Sequence, residues 1–197
     1  MYTVLKRILD ILISMALLVF LAPLFLLIAM LVNVNTDGTL IFRQQRIGQY
    51  GQPFTIYKFR TMHTDAPHDL PSAQLRAAGQ FITPIGRFLR QTGLDELPQL
   101  FNVLKGDMSF VGPRPVIPSE KRLLALRRRN GADTVRPGIT GLAQIRGRDT
   151  LTHTVKALYD GEYAAHVSFL LDAYIVIITA GQLLIQSSSR RDRIEKP

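Results

Sequence analysis

The chain predicts a mainly α fold with a small β-hairpin (α+β): an N-terminal membrane helix, the hairpin, and amphipathic helices packed on a membrane surface. Three observations carry this. Residues Ile11 to Thr36 contain no charged side chain, and about 20 apolar residues suffice to span a bilayer as a helix. The stretch "LIFRQQRIGQYGQPFTIYKFRTM" reads as two short strands around the turn Gly48 to Gly51. The remaining segments read as helices between proline and glycine breaks.

The length, 197 residues and 22.1 kDa, fits one domain, or one domain plus an anchoring segment. The expected division is a membrane helix over 1–36, a main domain over 37–186 and a charged, mobile tail over 187–197. The absence of cysteine excludes disulfides, Cys-containing zinc sites and a thiol nucleophile. Lys plus Arg outnumber Asp plus Glu by 24 to 15, a net charge of +9, which favours anionic partners: nucleic acid, phospholipid headgroups or phosphorylated small molecules.

Met15 to Val32 is unbroken apolar sequence with Pro23 near its middle. A cleaved signal peptide fits poorly, since the run is long and no small-x-small site follows it. A kinked spanning helix is tolerated in membranes. However, Lys6 and Arg7 precede the run and Arg43 and Arg46 follow it, so both flanks carry the cytoplasmic signature. A re-entrant helix broken at "LAPLF" satisfies both flanks, and charge alone leaves the two forms open.

After the hairpin, "HTDAPHDLPSAQ" is a polar loop. "TPIGRFLRQTG" predicts a short helix with Thr83 as N-cap, Pro84 at the first helical position and Gly93 as terminator. In "LDELPQLFNVLKG", a helix starting at Thr92 would carry Pro98 in its interior, at a cost of roughly 3 kcal/mol. With Asp95 as N-cap, Pro98 falls in the first turn, where a missing N–H costs little. Leu97, Leu100, Phe101 and Leu104 then make the apolar stripe, and Lys105-Gly106 end the helix. "SEKRLLALRRRNG" predicts an amphipathic helix from Ser119 to Asn130-Gly131, with Arg127-Arg128-Arg129 as a solvated or headgroup-facing end. "VSFLLDAYIVIITAGQLLI" predicts a buried or interfacial helix carrying Asp172.

The candidate chemistry gathers around Asp95 and Glu96. A helix N-terminus favours negative charge and attracts phosphate, and Mg²⁺ prefers carboxylate oxygens together with substrate phosphates. The competing reading is an ordinary capping Asp with an exposed Glu. Lys58 and Arg60 share one strand face. Arg114 lies between two prolines, and its planar guanidinium suits bidentate phosphate contacts. Arg90, Arg136 and Arg146 are further candidates, and Gly138 and Gly141 would let a backbone approach a ligand closely.

The pieces "KRILD" before the Pro-broken run, "FRQQRIGQYGQPFTIYKFRTM", "LDELPQLFNVLKGDMSFVGPRP" and "VRPGITGLAQIRGR" together resemble the bacterial sugar transferase family, the small monotopic phosphoglycosyl transferases. The resemblance runs from Lys6 to about Leu184. It implies a re-entrant helix and a catalytic domain on the cytoplasmic face of the bacterial inner membrane. It implies transfer of a sugar 1-phosphate from a UDP-sugar to a polyprenyl (undecaprenyl) phosphate, with Mg²⁺, giving UMP. Carried onto this sequence, Asp95 is the nucleophile of a covalent phosphosugar intermediate, and Glu96 completes the dyad, assisting metal binding or activation of the incoming lipid phosphate. Lys58, Arg60, Arg90 and Arg114 hold phosphates or orient the dyad. No nucleic-acid partner is implied, and a homodimer is compatible.

Two departures stand out. Ala22-Pro23 replaces a frequent Ser-Pro at the helix break, and Leu142 stands where Trp is common; the donor sugar does not follow from the sequence. The four-span N-terminal module of larger members is expected to be absent, leaving a core-only form. The rival reading is a non-catalytic basic protein that binds an anionic membrane surface.

Overall fold

The structure is a computed structural model that describes residues 2–36, 38–66, 79–147 and 150–194, with side chains up to residue 183. Most of the predicted loop after the hairpin lies outside the described residues.

Two helices open the chain, α1 (Tyr2–Phe20) and α2 (Ala22–Asn35), bent by 63° at Leu21. The break follows from Pro23, which cannot donate a backbone hydrogen bond and whose ring crowds the preceding turn. The bonds from Leu21 N to Leu17 O and from Phe25 N to Leu21 O persist around it. No single helix among the described residues is long and apolar enough to cross a membrane. Both helices nevertheless expose large apolar side chains; Phe20 is 80% exposed and Val34 84%.

The pair also packs inward. Ile28 and Val32 of α2 are buried with Phe59 and Leu89. On α1 the inward side is polar, with Asp10 and Ser14 buried. Asp10 accepts a hydrogen bond from Phe110 N, and the two Nη atoms of Arg7 donate to the carbonyls of Val103 and Leu104.

The hairpin forms as expected from β1 (Ile41–Ile47) and β2 (Pro53–Phe59), antiparallel, with Ile41 opposite Phe59. Helix α3 (Pro84–Thr92) is capped as its local chemistry dictates. The Thr83 side chain accepts from Gly86 N, and Gly93 ends the helix at φ 75°, where glycine carries no Cβ penalty. Next come α4 (Gln99–Lys105), β3 (Ser109–Val111), α5 (Lys121–Arg129), β4 (Gly138–Thr140), the short α6 (Leu142–Ile145), α7 (His153–Ala165) and α8 (Phe169–Ile194).

Several expectations change. Leu100 and Val103 are the buried apolar residues of α4, alongside Gln99 and Asn102, whereas Phe101 is half exposed. Helix α5 starts at Lys121 with Glu120 as its cap, not at Ser119. Arg127 is not solvated: it is buried and paired with Asp160. Helix α8 runs through Ile194, so helical backbone extends into the expected tail segment.

Strands β3 and β4 pair in parallel, Ser109 with Gly138 and Val111 with Thr140. Gly138 and Gly141 approach the chain itself and not a ligand. A Cβ at Gly138 would lie 2.1 Å from Gly112 N, and one at Gly141 would lie 2.1 Å from Gly112 O. The seam is therefore backbone on backbone. Around it sit Val111, Leu142, Ile145, Tyr163 and Ile175 as a core.

Candidate active site

The site forms where the end of β2, helix α3 and the turn into α4 meet. Leu94–Glu96 is a 3₁₀ turn, followed by Leu97 (φ −51°, ψ −38°) and Pro98 (φ −61°, ψ −13°) in helical backbone before α4 begins at Gln99. The expected N-cap role of Asp95 is thus corrected. The turn closes by Glu96 N to Gly93 O and Leu97 N to Leu94 O, and Pro98 occupies the cap position of α4. Its missing N–H falls among the groups that have no helical partner anyway. The Asp95 side chain makes no capping hydrogen bond.

Asp95 is buried, 8% exposed, and its carboxylate has no hydrogen-bond partner among the described residues. Glu96 differs sharply. It accepts from Lys58 Nζ at 2.7 Å and from Arg114 Nη2 at 3.1 Å. Arg114 is held in turn by its own backbone, since Arg127 Nη1 donates to the Arg114 carbonyl at 2.9 Å. Arg127 Nε and Nη2 meet Asp160 Oδ2 at 2.8 and 2.7 Å. Arg90 Nε donates to Thr61 Oγ1 at 2.7 Å, and its charge acts on Asp95.

The electrostatics divide the dyad. Burial pushes the Asp95 carboxyl up to about 6, with the negative charge of Glu96 adding to it and Lys58, Arg90 and Arg114 opposing. Burial also acts to raise Glu96, but Lys58 and Arg114 outweigh it and hold its carboxyl below the usual range. Lys58 and Arg90 are lowered by the same burial. At neutral pH the site therefore holds an ionised Glu96, with two charged donors on Oε1, beside an ionised Asp95 that is costly to keep charged. Two carboxylates face three cations, so a net positive charge remains to receive phosphate.

Of the residues nominated from sequence, Lys58, Arg90, Arg114, Asp95 and Glu96 come together. Arg60 donates instead to the Thr39 carbonyl at 2.7 Å and to Thr39 Oγ1 at 2.9 Å. Arg136 donates to the Gly106 carbonyl at 2.9 Å, at the far end of α4. Arg146 is exposed. Sequence reasoning missed Thr61, Arg127 and Asp160. The last left a signal: an aspartate among Ala157, Gly161 and Tyr163, on the buried face of α7.

No cluster of three or more His, Cys, Asp or Glu side chains able to hold a metal occurs among the described residues. The dyad alone is too few ligands for a protein-only site. Two adjacent carboxylates next to a phosphate-attracting surface do suit Mg²⁺, which is commonly held by one or two carboxylates plus substrate phosphates.

The bacterial sugar transferase family model matches residues 1–186. A UDP-glucose:undecaprenyl-phosphate glucose-1-phosphate transferase of Klebsiella pneumoniae is 41% identical over 193 residues, covering 94% of this chain and 41% of that protein. The uncharacterized sugar transferase EpsL of Bacillus subtilis is 38% identical over 184 residues, covering 92% of this chain and 88% of EpsL. An undecaprenyl-phosphate galactose phosphotransferase of Salmonella typhimurium is 37% identical over 198 residues, covering 91% of this chain and 40% of its own length. The chain thus spans about two fifths of the Klebsiella and Salmonella relatives and most of EpsL.

Proposed function

Because the chain belongs to the bacterial sugar transferase family, we propose that it transfers a sugar 1-phosphate from a UDP-sugar to a polyprenyl phosphate, the reaction that opens glycoconjugate assembly at a bacterial membrane. The observation that carries the mechanism is the asymmetric dyad: Asp95 buried, charged and without a hydrogen bond among the described residues, Glu96 locked by Lys58 and Arg114.

An Asp95 carboxylate oxygen attacks the phosphorus that bears the sugar. The P–O bond to UMP breaks as the Asp95 O–P bond forms, leaving an aspartyl phosphosugar and UMP. An oxygen of the polyprenyl phosphate then attacks the same phosphorus. The acyl-phosphate bond breaks, Asp95 returns as carboxylate, and the product is a polyprenyl diphosphate-sugar. A carboxylate poorly compensated by hydrogen bonds needs little reorganisation to attack, and splitting the transfer lets two phosphate substrates use one site in turn.

Lys58, Arg90 and Arg114 bind phosphate oxygens, and Glu96 fixes two of these cations at a set spacing from Asp95. Mg²⁺ held by Asp95 and Glu96 together with the donor diphosphate would supply neutralisation of the developing negative charge. Arg127 contributes by fixing the Arg114 carbonyl.

The exposed apolar sides of α1, α2 and α8, including Val19, Leu26, Met30, Leu170 and Ile177, support a membrane-inserted reading. Contiguous apolar exposure on this scale is uncommon in soluble monomers. The 63° bend and the cationic flanks on both sides favour a re-entrant helix held from the cytoplasmic face of the inner membrane.

The test is UMP release from UDP-glucose or UDP-galactose with undecaprenyl phosphate and Mg²⁺ in detergent. Asp95→Asn should lower the rate by about 10³-fold or more, as expected when a nucleophile is removed, with the protein still folded. Full activity in Asp95→Asn would overturn the covalent step. Failure of every UDP-sugar to yield UMP would overturn the reaction itself.

A further inference from the structure

The geometry points to a second phosphate site, separate from the dyad: a pocket between α1, β3 and the loop before β4, in which Arg7, Arg136, Ser109 and Asp10 receive a phosphate monoester or inorganic phosphate. The pocket has a volume of about 100 Å³. That is well below the roughly 300–1,000 Å³ of pockets that enclose a drug-sized ligand, so it takes a phosphate head and not a whole nucleotide sugar.

Three features of the lining argue for an anion. First, Arg7 and Arg136 are anchored on neighbouring carbonyls of one helix end. Arg7 takes Val103 O and Leu104 O, and Arg136 takes Gly106 O through Nε alone. The Arg136 Nη atoms have no hydrogen-bond partner among the described residues. The two guanidinium charges repel each other, and an anion between them relieves that repulsion.

Second, Ser109 and Val111 alternate onto the same side of β3, and both line the pocket. The Ser109 hydroxyl is buried at 1% exposure and has no partner, a state that buried polar atoms rarely keep. Third, Lys6 also lines the pocket but is held by Asp172, so the cations on offer are the two arginines. They are opposed by one carboxylate, Asp10, which accepts from Phe110 N through Oδ1. Its second oxygen accepts the hydroxyl of a monoester or hydrogen phosphate, a donor that a phosphodiester lacks.

The pocket gathers around the last turn of α4, whereas Asp95 and Glu96 precede its first. About 10 Å of helix separates them, at 1.5 Å per residue, so a phosphate in this pocket is not one bound at the dyad.

The test reads binding without turnover, so its failure leaves the transfer reaction untouched. Radiolabelled inorganic phosphate is dialysed against the full chain in detergent, in an Arg114→Gln background that weakens the dyad site. Binding should persist in that background. It should fall about tenfold or more on adding Arg136→Gln, and about fivefold on adding Ser109→Ala, which removes only a hydroxyl and keeps the fold. Absence of binding in the Arg114→Gln background, or binding unchanged by both additions, would overturn the proposal. Competition separates the sources. Displacement by phosphatidic acid in phosphatidylcholine vesicles assigns a lipid headgroup, displacement by glycerol 3-phosphate assigns a soluble monoester, displacement by unlabelled phosphate alone assigns inorganic phosphate, and displacement by none of the three overturns the site.

Discussion

Asp95, in the turn before α4, and Asp172, in α8, are both buried aspartates with a lysine nearby. Their surroundings treat them in opposite ways. Asp172 receives Lys6 Nζ at 2.5 Å, Tyr2 Oη at 2.6 Å and Tyr163 Oη at 2.7 Å, so its charge is met on each oxygen. Asp95 has cations in its field but no donor on its oxygens among the described residues, because Lys58 and Arg114 are bonded to Glu96 instead. The first arrangement ties α1 to α7 and α8. The second leaves a carboxylate with unspent lone pairs, which is what a nucleophile requires. Proximity to positive charge is common to both; the allocation of hydrogen bonds is what separates scaffold from chemistry.

The contrast can be broken at either end. The largest stability effect belongs to the saturated carboxylate. Asp172→Ala strands Lys6 and two tyrosine hydroxyls and should destabilise by about 3–5 kcal/mol, the usual cost of removing one partner of a buried ion pair; chemical denaturation of the solubilised protein measures it.

Asp95→Asn should act in the other direction. A carboxyl whose folded pKa exceeds its unfolded value stabilises the fold when protonated; that contribution is whole below about pH 4 and is lost as pH rises through about 6. At neutral pH the ionised Asp95 is therefore a burden, and its neutral isostere should stabilise by about 1–3 kcal/mol, visible as a raised Tm while UMP release vanishes. A lowered Tm would contradict the unsatisfied state of Asp95.

The same asymmetry sets the pH profile. If ionised Asp95 is the attacking group, kcat/KM should fall about tenfold per pH unit below about 6, with Glu96 ionised throughout. A limb near 4 would show that Asp95 is better solvated than its burial indicates. The smallest effect is Tyr163→Phe. It removes the hydroxyl that meets Asp172 and lies 3.0 Å from Val111 O, and should cost about 1–2 kcal/mol with no shift in the pH profile.

What could be read from the sequence was local. Thr83, Pro84 and Gly93 carry the start and stop of α3 in their own stereochemistry, and the hairpin follows from strand residues flanking a Gly-containing turn. The pair Asp95–Glu96 stands out as a candidate only in the company of Lys58, Arg90 and Arg114, since alone it reads as a capping Asp with an exposed Glu. Its exact backbone was not legible: a 3₁₀ turn and an N-cap place Pro98 equally well, and the choice is made by the turn that follows Gly93.

The sorting of arginines was illegible for a different reason. Arg60 and Arg114 look alike in sequence, yet one turns to Thr39 and the other to Glu96. Arg127 in a triple-arginine run reads as solvated because its partner, Asp160, lies on another helix. Such pairings are tertiary facts with no local signature.

The backbone seam between Gly112 and the glycines at 138 and 141 acts as a fixed gauge. With no side chain in the gap, its width is set by backbone contact and by the hydrogen bonds from Gly112 N to Thr140 O and from Gly138 N to Pro113 O, both 2.9 Å, and no side chain in it can be repacked. Arg114 follows Gly112 by two residues, so the distance at which its guanidinium meets Glu96 inherits that tolerance. A methyl at Gly138, 2.1 Å from Gly112 N, would be felt as a displaced cation at the candidate site, although Gly138 itself lies in a strand outside it.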